Sequence, residues 1–501
     1  MIKDVLIVGS GSAGLLFGLS LKLKIPGLKV RMVRSPQIGV ITVGEATTPN
    51  LPPFLFSYLG ISRSYFYSKV RPTWKKGIRF LWGPRGRFDY GFALALDSQV
   101  STLPRPNGFY CDDEFSCCDV VTALMRHDKA FPRLQNGCPD IQKWHAFHLD
   151  NEPLVSTLEE FARGIGVEII DGKVVDAVKA PHGISSVQLE DGRTLEADFF
   201  IDSSGFRSEL LGGALDEPFV DYSASLFTDR ALVGAWSRGK DEPILPYTTA
   251  ETMNCGWAWQ IEHEKSLSRG YVYSSQAISD DEAEAEFRAK NPKLGNTRII
   301  KFRSGRYQRS WVGNVVGVGN ASGFVEPLES TALMIVCQEA QNLTNFLIHT
   351  GLEPTPTIRT MYNNYFADTW DEIRDFLSLH YKFNTMLDTP FWKTCRNEVD
   401  IAGAAPVLEF FQENGPIGFA RHLLRGHAAN FGLEGFLQMF IGNQVPYQKR
   451  HTPTEAEWRV WQQHRSNNIA IAKNGMTSEE ALAYVHHPNW KWDGDAATTT
   501  H

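Results

Sequence analysis

The fold of this chain is decided by the stretch Asp4-Val5-Leu6-Ile7-Val8-Gly9-Ser10-Gly11-Ser12-Ala13-Gly14. Its apolar run is typical of a buried parallel strand, and an amphipathic helical pattern follows the last glycine. Glycines at this spacing allow a tight turn and a close approach of the backbone to a pyrophosphate, which the free N–H groups of the helix attract. We therefore predict a doubly wound, Rossmann-like α/β fold that binds a dinucleotide at Gly9, Gly11, Ser12, Ala13 and Gly14. An ordinary glycine-rich turn between strand and helix is the alternative.

Arg34 departs from this nucleotide-binding pattern. It ends the predicted second strand, residues 30–33, where such folds usually carry an acidic residue for the ribose hydroxyls. We predict that Arg34 lies at the cofactor, and that another group holds the ribose or binding is weaker. An NADP 2′-phosphate beside Arg34 is the minor alternative, because no second GxGxxG follows.

Two later loops are expected at the same edge of the sheet. A helical pattern at 154–164 precedes strand patterns at 167–170, 173–180, 184–189 and 199–202, with a hairpin turn at Asp191-Gly192. These runs indicate a meander inserted in the parallel-sheet domain. The carboxyl ends of parallel strands meet at one edge, so we predict cofactor contacts from Asp202, Gly205 and Gly319. Unrelated turns are the alternative.

The composition is that of a globular protein without a polyanion-binding surface. The 501 residues carry a net charge of −7, which does not favour nucleic acid as a partner. The seven cysteines show no metal-ligand spacing, so no metal site is predicted, and reduced thiols suit a cytoplasmic protein. No apolar run is long enough to span a bilayer, and no membrane anchor is expected.

The last third of the chain has helical periodicity. Patterns at 332–350 and 356–382 predict helices, and two capping boxes, Thr452 with Glu455 and Thr477 with Glu480, predict later helix starts. We expect a cofactor module at 1–340, with an inserted substrate-facing sheet at about 81–150 and 215–300. A mainly helical region at 341–501 is expected to cover the substrate.

A pair of tryptophans marks the middle of the chain. Trp257 and Trp259 alternate along a predicted strand, so both rings lie on one face of the sheet. Taken alone, such a pair is more often core packing in an edge strand.

Several sequence blocks in order resemble one family, the flavin-dependent halogenases of the tryptophan-halogenase type, which have a flavin-monooxygenase fold. The resemblance runs from residue 1 to about 340. Three positions differ from the family pattern: Glu262 replaces a proline after the tryptophan pair, Ala332 replaces a glycine, and Arg34 replaces an acidic residue. The matching blocks are residues 43–49 (VGEATTP), 73–80 (TWKKGIRF), 199–207, 256–261 (GWAWQI), 270–275 and 324–331 (FVEPLEST).

The resemblance implies FAD, used as FADH2, with dioxygen and chloride or bromide. Hypohalous acid formed at the flavin would pass to the catalytic Lys75. The adjacent Lys76 is the alternative candidate for this role. Glu329 would polarise the oxidant or accept the ring proton, although it could equally close a helix N-terminus. The remaining implied roles are cofactor contacts from Glu45, Ala46 and Pro327, halide binding at the amides of Thr331 and Ala332, and a partition between flavin and arene made by Trp257 and Trp259.

The implied substrate is an electron-rich arene such as an indole or a phenol. The region 87–92 (RFDYGF) lacks the histidine-containing aromatic segment with which tryptophan halogenases line their substrate pocket. The resemblance therefore indicates a halogenase without indicating free tryptophan as its substrate. A separate NAD(P)H-dependent flavin reductase is implied as a partner. A homodimer of this chain is one oligomeric state to test. A flavin-dependent aromatic hydroxylase and a catalytically idle flavin-binding protein are the alternative functions.

Overall fold

The computed structural model describes residues 1–37, 44–100, 102–111, 115–141, 145–425 and 430–492. The predicted Rossmann-like sheet is present. Its central strand, Asp4–Val8, pairs in parallel on both sides, with Val5 opposite Val30 on one side and opposite Phe199 on the other. In spatial order the sheet contains β20 (Trp311–Val312), β21 (Val315–Gly317), β12 (Phe199–Asp202), β1 (Asp4–Val8), β2 (Lys29–Arg34) and β8 (Glu168–Asp171).

A second, mainly antiparallel sheet confirms the insertion expected in this fold. Its strands come from residues 77–91 and 230–301. The first segment begins before the expected 81–150 and ends well short of residue 150, and the second begins later than the expected 215–300 and ends at residue 301. One parallel pair, Gly77–Leu81 with Thr248–Met253, joins its two halves. In spatial order it contains β18 (Thr297–Lys301), β14 (Arg230–Ser237), β17 (Ser266–Tyr273), β16 (Gly256–Glu262), β15 (Thr248–Met253), β5 (Gly77–Leu81) and β6 (Phe88–Gly91).

Three small sheets complete the strand structure of the described residues. The predicted meander is shorter than expected, because β8 and β12 pair with β2 and β1 in the parallel sheet instead. The three sheets are β11 (Thr194–Glu196), β10 (Gly183–Leu189) and β9 (Val174–Ala180); β13 (Phe219–Asp221), β19 (Gly305–Tyr307) and β22 (Gly323–Phe324); and β3 (Gly44–Ala46), β7 (Ala146–Asp150) and β4 (Thr73–Lys75).

The helices cover the parallel sheet and form most of the last third of the chain. The expected boundary at residue 340 falls inside the helix Ala332–His349. The helices are α1 (Ser12–Lys24), α2 (Leu51–Pro53), α3 (Arg63–Val70), α4 (Val120–Arg126), α5 (Asn151–Gly164), α6 (Asp280–Lys290), α7 (Ala332–His349), α8 (Pro356–Phe383), α9 (Pro390–Glu398), α10 (Ala405–Asn414), α11 (Gly432–Gly442), α12 (Glu455–Lys473) and α13 (Ser478–Val485).

One of the two predicted capping boxes is displaced. The box at Thr477 and Glu480 begins α13 as predicted. The other is formed by Thr454 and Glu457 rather than by Thr452 and Glu455, because the helical residues begin only after Thr454. Within the described part of the chain, no helix combines the length and apolarity needed to cross a lipid bilayer.

Candidate active site

A cavity of about 480 Å³ opens where the parallel strands end. The loops after β1, β12 and β21 all reach it, as expected for the carboxyl edge of a doubly wound sheet. Most of the predicted cofactor and halide positions therefore come together. Those that line the cavity are Gly9, Gly11, Ser12, Ala13, Glu45, Ala46, Gly205, Gly319, Pro327 and Ala332, with Trp259 of the tryptophan pair.

The first loop has the shape that a dinucleotide requires. Gly9 has φ +109°, and a Cβ there would lie 2.4 Å from the carbonyl oxygen of Ser203. Gly11 lines the cavity, and a Cβ there would meet no atom within 4 Å. Gly11 also provides no side-chain cap for α1, whose first N–H groups remain available for an anion. These features fit the pyrophosphate of FAD.

Several predicted positions lie behind the cavity wall rather than on it. A Cβ at Gly14 would lie 2.2 Å from the carbonyl oxygen of Gly9, so this glycine allows the helix to pack against the loop. Asp202 is buried and accepts hydrogen bonds from the backbone N–H groups of Leu210 (2.7 Å) and Leu211 (2.9 Å). Its carboxylate therefore shapes the second loop.

Arg34 is also turned away from the cavity. Its guanidinium donates to Asp171 and to Glu159, each at 2.7 Å. The two carboxylates hold Arg34 along the edge of the parallel sheet. Ser35 and Lys173 line the cavity beside it, and sequence reasoning missed both because they belong to none of the recognised motifs.

Lys75 is fully buried one side chain behind the cavity. Its Nζ donates to Ser330 Oγ at 2.7 Å, and Ser330 itself lines the cavity. The ring of Phe92 lies 5.3 Å from the same Nζ. Burial lowers the pKa of Lys75 to about 7, although nearby Glu329 and Glu45 oppose the shift. A large fraction of the amine is therefore neutral at neutral pH.

Lys76 faces a different environment from Lys75. Its Nζ lies 5.0 Å from the centre of the Phe131 ring, and the nearby acidic groups are Asp119 and Asp140. Burial lowers the pKa of Lys76 to about 8. Both lysines are buried, and Lys75 is the one directed toward the cavity wall.

Glu329 lies in a short turn, Pro327–Glu329, just before α7. It is buried, and its Oε1 lies 2.7 Å from Nε2 of His380 on α8. Glu45, which is also near Lys75, lines the cavity, and burial raises its pKa to about 7. His380 was missed by sequence reasoning because 51 residues separate it from Glu329.

The two tryptophan rings lie side by side on β16. Their centres are 6.0 Å apart with an angle of 53° between the planes. Trp259 lines the cavity and lies over Gly270, where a Cβ would come within 2.0 Å of its Cζ2. Trp257 is set back from the cavity, and its Nε1 donates to Glu326 at 3.2 Å.

Comparison with known proteins decides the family. Residues 4–458 match the family model described as tryptophan halogenase. Tryptophan 7-halogenase KtzQ of Kutzneria sp. (strain 744) is 32% identical over 455 residues, which cover 85% of this chain and 84% of KtzQ. Tryptophan 7-halogenase RebH of Lentzea aerocolonigenes is 31% identical, covering 78% of each chain. The chain belongs to the tryptophan halogenase family.

Solved structures of this halogenase family share the fold. MibH, described as a lathipeptide tryptophan 5-halogenase, matches with a TM-score of 0.90 and 38% identity over 99% of this chain and 96% of MibH. The flavin-dependent halogenase BrvH from Brevundimonas sp. BAL3 matches with a TM-score of 0.84 and 26% identity over 97% and 99% of the two chains. This halogenase is accordingly an enzyme that uses FADH2 and halide, acts on an aromatic substrate and needs a separate flavin reductase.

Two positions of this halogenase that differ from its family pattern, Glu262 and Ala332, can be located in the structure. Glu262, in place of a proline, is buried and accepts from Arg238 Nη2 and Gln260 Nε2 at 2.5 and 2.7 Å. A buried ion pair thus ends the strand that carries the tryptophans. Ala332 is the first residue of α7, after Thr331, which gives the helix no side-chain cap. The backbone N–H groups of this helix end therefore remain available, and Ala332 adds a methyl group at the cavity.

Proposed function

We propose that this halogenase transfers an electrophilic halogen from hypohalous acid to an indole ring by way of Lys75. The observation that carries the proposal is the buried hydrogen bond between Lys75 and Ser330, since Ser330 lines the cavity and Lys75 lies behind it. An oxidant leaving the cavity at this point would meet an amine that is partly neutral at neutral pH.

The cavity residues are proposed to hold FAD. The N-terminal turn of α1 with Gly9, Gly11, Ser12 and Ala13 would bind the pyrophosphate. The remaining proposed contacts come from Glu45, Ala46, Gly205, Gly319 and Pro327. When bound, reduced FAD supplies hypohalous acid from dioxygen and halide.

The start of α7 is the proposed halide site. Free backbone N–H groups and the partial positive charge of a helix N-terminus attract an anion. Thr331 and Ala332 would present these groups, with Ala332 at the cavity and Thr331 buried behind it. The methyl group of Ala332 narrows the space relative to glycine, so halide preference is a property to measure.

Lys75 is proposed to hold the oxidant while the tryptophans keep the arene from the flavin. An ammonium can donate a hydrogen bond to hypohalous acid, whereas the neutral amine can form a haloamine. Trp259 forms part of the cavity wall, and Trp257 supports it from the same strand face. Glu329 would receive the proton that the ring loses.

The indole of tryptophan is the substrate ring that the comparisons favour. The named relatives KtzQ and RebH act on tryptophan, and MibH is described as acting on a lathipeptide tryptophan. Phe92 beside the Lys75 ammonium supplies an aromatic surface against which an indole can pack. Free tryptophan and a tryptophan residue in a peptide offer the same ring and are separated by experiment.

The test incubates the halogenase with FAD, a flavin reductase, NADH and bromide. One arm contains free L-tryptophan, a second contains a short tryptophan peptide, and a third contains a phenol. Mass spectrometry is expected to show bromine incorporated in at least one indole arm and not in a Lys75→Ala variant that still binds FAD. Hydroxylated product would support the aromatic hydroxylase instead, and turnover with NADH in the absence of a reductase would contradict the proposal.

A further inference from the structure

A buried pair of side chains, His380 and Glu329, lies next to the proposed transfer site. Both side chains are buried, with His380 completely inaccessible. His380 Nε2 lies 2.7 Å from Glu329 Oε1, and His380 Nδ1 lies 3.1 Å from the carbonyl oxygen of Phe376. Each ring nitrogen therefore has one partner.

The partners of the two nitrogens determine where hydrogen atoms can be. A backbone carbonyl only accepts, so Nδ1 of His380 carries the hydrogen that it donates to Phe376. If His380 were neutral and Glu329 ionised, a bare Nε2 would face a carboxylate oxygen at 2.7 Å, and two acceptors would repel. The contact is favourable when one further proton lies between Nε2 and Oε1.

We propose that Glu329 and His380 share this proton and act as the proton reservoir of halogen transfer. The inference rests on the proposed function, and it gives His380 a role as a positioning residue that acts through Glu329. Sharing lets Glu329 deliver a proton at one stage of the reaction and recover one at the next.

The proton balance of halogen transfer requires both steps. As the carbon–halogen bond forms, the bond from halogen to its carrier breaks, and the electron pair stays on the carrier atom. That atom is the oxygen of hypohalous acid or the nitrogen of a Lys75 haloamine, and in either case it takes one proton from the pair. The ring then loses its own proton to Glu329 as its C–H electrons restore aromaticity. The His380–Glu329 pair therefore holds the same number of protons at the end as at the start. The products are the haloarene and either water, from hypohalous acid, or the free amine of Lys75, from the haloamine.

The surroundings of His380 direct this exchange toward Glu329. The rings of Phe80 and Phe376 lie 5.3 and 5.2 Å from the imidazole and exclude water from it. Glu326 also lies near His380, but its carboxylate accepts from Tyr381 at 2.6 and 2.7 Å and from Trp257 at 3.2 Å. Burial raises the pKa of Glu326, which favours its neutral form.

Other charged and titratable groups face the pair from the strands. Lys75 on β4 is near Glu329, and Glu45 on β3 is near Lys75. Tyr90 on β6 is near Glu329, and burial with three nearby carboxylates raises the pKa of its phenol. Among these described groups, Lys75 is the cation that faces Glu329, and it is also the proposed carrier.

The test compares His380→Gln with the wild-type enzyme in single turnovers at several pH values. The glutamine side chain does not titrate, so the transfer of bromine to indole is expected to slow about 100-fold in this variant, the scale of acid–base catalysis. The pH profile of transfer is expected to change shape, while FAD binding and hypohalous acid formation stay at wild-type levels. Glu329→Gln is expected to show the same change. The matched control is His464→Gln, because His464 lies on α12 and bonds to the carbonyl oxygen of Cys118.

Three outcomes would overturn the shared proton. One is an unchanged transfer rate in His380→Gln, another is a slower rate with a wild-type pH profile, and the third is loss of FAD binding or oxidant formation together with transfer. A measurement on the folded wild-type protein adds a check that does not depend on the variant. An imidazole proton resonance far downfield is expected in the wild type and absent in Glu329→Gln, and its persistence in that variant would contradict the proposal. Failure of wild-type protein to brominate any indole would instead refute the proposed function.

Discussion

Replacing Lys75 by methionine is expected to abolish halogenation while making the protein more stable. Methionine keeps the length of the buried stem and removes the amine. The pKa of Lys75 falls from 10.5 to about 7 on burial, which corresponds to about 5 kcal/mol of lost stability when the lysine is charged. The lost charge-assisted hydrogen bond to Ser330 opposes this by about 1.5–3 kcal/mol. We expect a net stabilisation of about 2–3.5 kcal/mol below pH 7.

The sign of this effect depends on pH. The folded protein binds the Lys75 proton more weakly than the unfolded chain does, so the cost is fully present below pH about 7 and disappears as the pH rises toward 10.5. The stabilisation in Lys75→Met is therefore expected to shrink across this window. Urea unfolding at several pH values measures it, since the midpoint reports stability when the slope is unchanged.

Lys76→Met is the matched control for Lys75→Met. Lys76 is also buried, and its pKa falls from 10.5 to about 8, a cost of about 3 kcal/mol in the charged form. Lys76 faces Phe131 instead of the cavity wall, so its replacement is expected to leave halogenation intact. Loss of halogenation in both variants, or a less stable Lys75→Met at pH 6, would refute the reasoning.

Three further predictions concern the cofactor loop, the end of β2 and the tryptophan strand. Gly11→Ala is expected to weaken FAD binding without loss of stability, whereas Gly14→Ala, whose methyl group would meet the backbone, is expected to lower the free energy of unfolding by about 1–3 kcal/mol. Titration calorimetry measures FAD binding and urea unfolding measures stability; equal behaviour of the two variants would contradict the different roles assigned to Gly11 and Gly14. Arg34→Ala is expected to leave the FAD dissociation constant within about twofold, because Glu159 and Asp171 hold the Arg34 guanidinium and Arg34 does not line the cavity. A dissociation constant about tenfold weaker would place Arg34 at the cofactor. Glu262→Gln is expected to cost about 3–5 kcal/mol of unfolding free energy because it leaves Arg238 buried without its counter-charge; an unchanged urea midpoint would show that other partners suffice.

The parallel sheet could be predicted from sequence because its signals are local. An apolar strand, three glycines and a helix follow one another within residues 4–24, and Gly9 and Gly14 make the close backbone contacts that this turn requires. The meander was predicted too long because strand periodicity does not identify the partner strand. Residues 167–170 have a strand pattern in either arrangement, and only the parallel pairing with β2 assigns β8 to the main sheet.

The candidate site was less predictable because it depends on contacts between distant residues. The family blocks indicated Lys75 and Glu329, but the choice between Lys75 and Lys76 requires the direction of each side chain. His380 belongs to no recognised block and reaches Glu329 from another element. Arg34 looked like a cofactor contact because the carboxylates that hold it, Glu159 and Asp171, are far away in sequence. Val43, the first residue of the VGEATTP block, lies outside the described residues.

The most direct test of Lys75 as the carrier separates formation of the oxidant from its use. Wild-type enzyme and Lys75→Met are loaded with equal amounts of FADH2, bromide and indole substrate in the presence of a soluble scavenger of hypohalous acid. We predict that Lys75→Met forms trapped oxidant at the wild-type rate and yields no brominated indole, while the wild type brominates the indole. Brominated indole from Lys75→Met, or absence of trapped oxidant from a variant that binds FAD normally, would contradict transfer through Lys75.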